Sequence, residues 1–204
     1  MQVLLSSGSP RRKELLSLLG IDFQVKVPNI PEIQLPGEKP QDFCSRISKQ
    51  KALEVAGGYP ESLVIGADTV VVMDGKILGK PRDNTQARDY LTLLQDKVHE
   101  VFTGYTIIFG TRHKTKVVMT RVHFREMTTE EISWYISTGE PIDKAGAYAI
   151  QGIGALFIEK IQGSFTNVIG LPLSDLYYDL KEFGIRLNTP AGGSDHHERV
   201  YTGN

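Results

Sequence analysis

Residues 63–73 of the 204-residue chain read Leu-Val-Ile-Gly-Ala-Asp-Thr-Val-Val-Val-Met. Apolar and rich in β-branched residues except at its middle, this run has the composition of a buried central strand. Asp68 interrupts it. Aspartate is depleted in strand interiors and costly to bury without a partner, so the fold must supply one: a lysine or arginine, a divalent cation, or a hydrogen-bonded turn. The first two make Asp68 a metal ligand or a general base for a water nucleophile. The third makes it an Asx turn at a strand end.

Strand and helix signals alternate along the rest of the chain. Residues 3–5 read as a short buried strand, and Ser9, Pro10 and Gly20 mark the cap, first position and stop of a helix over 10–19. A strand over 23–27, a Pro-rich loop over 28–40 and a helix over 41–56 follow. Asp74-Gly75 predicts a tight hairpin into 76–78. Asn84 is the expected cap of a helix to Leu94, and strands over 98–109 and 114–127 meet in a second hairpin around Gly110-Thr111. Thr128 and Glu131 form a capping box for a helix ending at Gly139. A strand over 155–161 and a helix over 172–183, opened by Pro172 and closed by Gly184, complete the set. Seven strands with five helices predict an α/β domain, and the hairpins make its sheet mixed. The domain is expected to span 1–187. Residues 188–204 have almost nothing apolar to bury and read as a polar tail, whose adjacent His196 and His197 make a poor metal site.

The 23 Lys+Arg against 24 Asp+Glu leave a formal net charge of -1, with no basic excess to hold a nucleic acid polymer. No apolar run approaches the roughly 20 residues that cross a bilayer, and the opening Met1-Gln2-Val3-Leu4-Leu5 shows no export signal, so a cytoplasmic protein without membrane partners is expected. A single cysteine, Cys44, excludes an internal disulfide and a Cys-based zinc cage. The charges that are present cluster. Ser7-Gly8-Ser9-Pro10-Arg11-Arg12 places two guanidiniums in the first turn of a helix, the end where cations are disfavoured. A bound phosphate would reverse that cost, because backbone N–H groups, serine hydroxyls and bidentate arginine all suit its oxygens. Lys51 and Lys80, in Gly79-Lys80-Pro81, read as solvated when each is taken alone. Asp143-Lys144 leads into the glycine-dense Ile150-Gln151-Gly152-Ile153-Gly154, where glycines serve either turns or the close approach of a ligand. The dinucleotide signature GxGxxG is absent, and a helix start suffices to explain Asn167.

In this order, the SxSPRRxxLL opening, Lys51-Ala52, Gly66-Ala67-Asp68-Thr69, Gly79-Lys80-Pro81, TGEPxDKAGAYxIQG and NVxGLPL resemble the Maf family of nucleotide pyrophosphatases, once known as septum-formation inhibitors. The resemblance runs from Val3 to about Ile185. It implies a mixed twisted sheet with flanking helices and two lobes around a central cleft, similar to the inosine triphosphate pyrophosphatases. It also implies hydrolysis of a nucleoside triphosphate to monophosphate and pyrophosphate with a divalent metal, Mg or Mn. Asp68 matches the family's proton acceptor and Glu32 an acidic position that helps hold metal or water. Ser9, Arg12, Lys51 and Lys80 match positions lining the phosphate site. Arg11, Thr69 and Gln151 fall where subfamilies differ by base and resemble the dTTP/UTP branch, whereas the 7-methyl-GTP branch carries an aromatic residue, Gln and Glu there. Gln151 can present both a donor and an acceptor to a pyrimidine edge. A homodimer would be similar to relatives. Three alternatives stand beside this reading: another base specificity, a regulatory role in cell division with hydrolysis incidental, and phosphoryl transfer that yields a diphosphate.

Overall fold

The computed structural model describes residues 1–186, and the polar tail over 188–204 lies outside the described residues. The 63–73 run is one unbroken strand, and everything else is placed by it. In chain order the elements are β1 (Val3–Ser6), α1 (Pro10–Ser17), β2 (Gln24–Lys26), α2 (Pro40–Gly58), β3 (Leu63–Met73), β4 (Lys76–Leu78), α3 (Asn84–Leu94), β5 (Val98–Phe109), β6 (Arg112–Phe124), α4 (Thr129–Ser137), β7 (Ile158–Gln162), α5 (Phe165–Ile169) and α6 (Leu173–Glu182). The sheet runs β2-β1-β3-β5-β6-β7, with β4 also paired to β3. β1 is parallel to both β2 and β3, and the remaining pairs are antiparallel. The sheet is therefore mixed, as the hairpins predict.

On one side β3 is continuously paired with β5, Asp68 lying opposite Gly104. On the other, β1 pairs with it only up to Gly66 and β4 only from Val71. Positions 67–70 face the gap between those two short partners, and the chain leaving β1 turns there into the Ser7–Ser9 loop. Asp68 thus sits mid-strand but beside an opening, which rules out the Asx turn at a strand end.

Alternation sorts the neighbours of β3. Its odd-numbered residues face one side, where they join two separate cores. Ile65 and Ala67 pack with Leu15, Leu16, Leu176 and Leu180 from α1 and α6. Val71 and Met73 pack with Leu91, Leu94, Ile132 and Ile136 from α3 and α4. These are the two lobes. The even-numbered residues face α2, whose Ala52 and Val55 cover Val64 and whose Phe43, Cys44 and Ile47 cover Val70 and Val72. Gly66 and Gly104 let that helix come close: a Cβ on Gly66 would stand 2.7 Å from the Ala52 backbone nitrogen, and one on Gly104 would stand 2.6 Å from the Cys44 carbonyl carbon.

The hairpin at Asp74-Gly75 has both residues at positive φ, 50° and 75°, the conformation of a tight two-residue turn. The capping box at Thr128 and Glu131 is closed in both directions. Four expectations are corrected. Asp83, not Asn84, caps α3 through its side chain on the Gln86 N–H. β6 starts at Arg112 and ends at Phe124, and the following residues leave the sheet. Residues 153–157 form a 3₁₀ turn, so β7 begins only at Ile158. Asn167 belongs to a sixth helix, α5, which is capped by Ser164 and too short to show a helical period, while α6 starts after Pro172. No helix among the described residues is long and apolar enough to cross a membrane.

Candidate active site

A cleft of about 640 Å³ opens at the gap beside β3, between the two lobes. All nine residues singled out from the sequence line it: Ser9, Arg11, Arg12, Glu32, Lys51, Asp68, Thr69, Lys80 and Gln151. They come from six separate segments of the chain.

Asp68, even-numbered, points toward α2 and meets Lys51, whose Nζ donates to Asp68 Oδ1 at 2.8 Å. Glu32 reaches the same Nζ at 2.7 Å from the Pro-rich loop. Lys51 and Asp68 are almost fully buried, with side-chain exposures of 6% each, whereas Glu32 is half exposed at 53%. One ammonium thus holds two carboxylates together at the floor of the cleft, and the partner that Asp68 demands is Lys51. The helix carrying it is fixed by Ser6 Oγ, which donates to the Lys51 carbonyl at 2.7 Å.

Thr69 points the opposite way, toward α1. There the buried Arg12 is held by three acceptors: Nε on the Gly170 carbonyl at 2.8 Å, Nη1 on Ser7 Oγ at 3.2 Å and Nη2 on Thr69 Oγ1 at 2.8 Å. Burial pulls the Arg12 guanidinium below its ordinary value, and the charges of Asp68 and Glu32 pull it back. Thr69 also pairs with the Thr103 hydroxyl at 2.9 Å, which itself bonds the Asn167 carbonyl at 2.9 Å. Thr69, placed by resemblance among the base-distinguishing positions, therefore has Arg12 as its own contact. Asn167 does more than start a helix: it is fully buried and donates through Nδ2 to the Val101 carbonyl and to Thr120 Oγ1. Ser9 caps α1 by accepting the Arg12 N–H, which places Arg11 and Arg12 in the first turn as expected.

Lys80 follows the β3–β4 hairpin, where the Gly79 carbonyl accepts the Gly146 N–H and so ties this corner to the Asp143–Gln151 segment. Gly146 and Ala147 both have positive φ, 68° and 61°, and a Cβ on Gly146 would strike Val71. This tight bend brings Lys144, Tyr148 and Gln151 to one wall. From the sequence, Lys144 stands out only as half of the charged pair ahead of the glycines, and neither it nor Tyr148 is expected in the site. Lys144 lies with its ammonium on Asp143, holding that carboxyl below its ordinary value, with Arg11 contributing across the cleft mouth. Tyr148 forms its wall with its hydroxyl on His99 Nε2 at 2.8 Å, in an edge-on cluster of His99, Phe124 and Tyr148. Only the dense AGAY segment hints at such a bend, and nothing near His99 marks it.

A profile of Maf-like proteins matches residues 2–183, nearly the whole of the described chain. The chain belongs to the Maf family. This Maf-family chain is 48% identical over 185 residues to a protein of Syntrophus aciditrophicus (strain SB) named dTTP/UTP pyrophosphatase, covering 90% of each. It is 47% identical over 180 residues to one of the same name from Bacillus cytotoxicus, covering 88% of this chain and 94% of that one. Among solved structures, the Staphylococcus aureus Ham1 protein superposes with a TM-score of 0.50 at 11% identity, over 91% of this chain and 100% of the other. That likeness concerns the fold alone, and it places the Maf-family sheet and helices beside a second protein of the same mixed α/β architecture.

Proposed function

We propose that the protein hydrolyses dTTP and UTP to the monophosphate and pyrophosphate, acting on nucleotide pools in the cytoplasm. The observation that carries this is the single cleft in which a Lys51-bridged pair of carboxylates faces Arg11, Lys80 and Lys144, with the buried Arg12 beneath and Gln151 on the wall. The printed names of the relatives support the choice of substrate.

A triphosphate carries about four negative charges, and its hydrolysis shifts charge onto the leaving pyrophosphate, so fixed cations are the main catalytic requirement. Arg11, Lys80 and Lys144 meet the phosphates from three sides. Arg12 retains N–H groups beyond its three internal bonds, because a guanidinium has five. Water attacks phosphorus and Asp68 takes its proton; the bond to the bridging oxygen breaks and that oxygen leaves with its electron pair on pyrophosphate. Lys51 keeps the Asp68 carboxylate aimed at that water.

The residues also fit a divalent cation. Glu32 and Asp68 already converge on one positive atom at 2.7 and 2.8 Å, and Mg is usually held by one or two carboxylates with substrate phosphates completing its shell. No group of three or more His, Cys, Asp or Glu among the described residues is arranged to hold a metal, so the remaining ligands would be phosphate oxygens and water. When bound, Mg or Mn supplies phosphate neutralisation and a more acidic water.

The test is pyrophosphate release from a nucleotide panel with Mg or Mn. Turnover of dTTP and UTP is expected to exceed that of the other triphosphates, and Asp68→Asn should lose about 10²- to 10⁴-fold in kcat. Indifference to dTTP and UTP together with an unimpaired Asp68→Asn refutes the proposal. Nucleoside diphosphate as the product would point to phosphoryl transfer instead.

A further inference from the structure

Gln151 sits on a turn that the protein grips from both sides, and neither gripping residue lines the cleft. Before Gln151, the Ala149 N–H donates to the Tyr135 hydroxyl at 3.3 Å. After it, the Ile153 N–H donates to Glu140 Oε2 at 2.9 Å and the Gly154 N–H to Glu140 Oε1 at 3.0 Å. The Tyr135 hydroxyl in turn donates to Glu140 Oε1 at 2.7 Å, which joins the two grips into one brace.

The glycines of this segment record the same contact. A Cβ on Gly152 would lie 2.7 Å from the Glu140 carboxyl carbon, and one on Gly154 would lie 2.6 Å from the Tyr135 hydroxyl. Gly152 and Gly154 are therefore glycine because the brace presses flat against the backbone, and the approach of a ligand is not needed to explain them. Burial would raise the Glu140 carboxyl, yet the Gly154 N–H, the Tyr135 hydroxyl and the Ile153 N–H hold it below its ordinary value. Hydrogen bonds to an ionised acceptor are about twice as strong as neutral ones.

We infer that Glu140 and Tyr135 are positioning residues for base selection: they fix the 149–154 turn so that the Gln151 amide meets the base edge at one place. The inference rests on the reading of Gln151 as the base-reading residue of the pyrophosphatase proposed above. Its physical basis is the narrow hydrogen-bond window, roughly 2.7–3.2 Å between heavy atoms. A turn free to swing by about half an ångström lets the amide find other bases, and selectivity falls even where the fold survives.

The experiment measures kcat/KM for UTP, CTP and GTP by pyrophosphate release, in the wild type, Glu140→Gln, Tyr135→Phe, Gln151→Ala and the double variant Glu140→Gln/Gln151→Ala. The preference for UTP over the better of the other two should fall at least fivefold in Glu140→Gln and in Tyr135→Phe. The double variant should lose no more preference than Gln151→Ala alone, because the brace acts through the glutamine. A lowered melting temperature with the preference kept within twofold in both brace variants, while Gln151→Ala loses it, overturns the inference and leaves the role of Gln151 standing. An unchanged preference in Gln151→Ala overturns that role, and the inference falls with it. Should Glu140→Gln not fold, Tyr135→Phe carries the comparison, since it keeps the carboxylate and its two backbone bonds.

Discussion

A buried carboxylate in an apolar strand is a demand that can be read from the sequence, whereas the identity of the group that meets it cannot. Asp68 called for a partner, which a cation or a turn could supply, and the chain offers 23 lysines and arginines; only the crossing of α2 over β3 selects Lys51. Arg12 likewise stood out by its place at a helix N-terminus, but that its guanidinium would be spent on Gly170, Ser7 and Thr69 depends on a contact 158 residues away in sequence. His99 gave no signal at all. Burial pushes it down to about 3, with the nearby His123 adding to the effect, while a histidine in an unfolded chain titrates near ~6.5. Between those values the unfolded chain binds the extra proton. The stability that His99 contributes is therefore complete above about pH 6.5 and drains away as pH falls, by up to about 1.4 kcal/mol per pH unit. Urea unfolding at pH 7 and pH 5 should show this loss in the wild type and a smaller one in His99→Phe. Equal losses in both proteins would count against it.

At the scale of elements, hydrophobic runs and turn residues made most of the architecture legible: among the described residues, all seven strands, five of the six helices, both hairpins and the capping box. What escaped were pieces too short to carry a period, such as α5 (Phe165–Ile169) and the 3₁₀ turn ahead of β7. Glycine was the residue type whose role was hardest to anticipate. Gly66 and Gly104 lie inside long strands, where a glycine weakens pairing, and they serve there to seat α2. Because Lys51 rides on that helix, its depth fixes the spacing of Lys51, Asp68 and Glu32. Gly66→Ala would meet backbone and not a flexible side chain, so α2 must move outward, at a cost of about 1–3 kcal/mol. Activity should fall more steeply than the folded fraction. Chemical denaturation paired with kcat/KM per folded molecule measures both, and a destabilised variant of full specific activity would show that the site tolerates a lifted helix.

Taken as a whole, the molecule's net charge of -1 is an average over unlike surfaces. Arg11, Arg12, Lys51, Lys80 and Lys144 line the cleft against only Glu32, Asp68 and Asp143, an excess of five minus three, or two positive charges, which suits the anionic substrate proposed for it. Screening shortens from about 10 Å at 0.1 M salt to about 3 Å at 1 M. KM for UTP should accordingly rise several-fold over that range at fixed metal, with kcat changing less; a flat KM would mean that the cleft's field plays no part in capture. The site is also assembled from the two ends of the described chain, since Arg12 is held by Gly170. During synthesis at roughly 5–20 residues per second, the 158 residues between them take on the order of 8–30 s to emerge. Between the emergence of Asp68 and that of Gln151, a nascent chain carries Arg11, Lys51 and Asp68 but lacks the carbonyl that aims Arg12 and the turn that carries Gln151. The fold thereby ties completion of the proposed site to the emergence of residues 151–170.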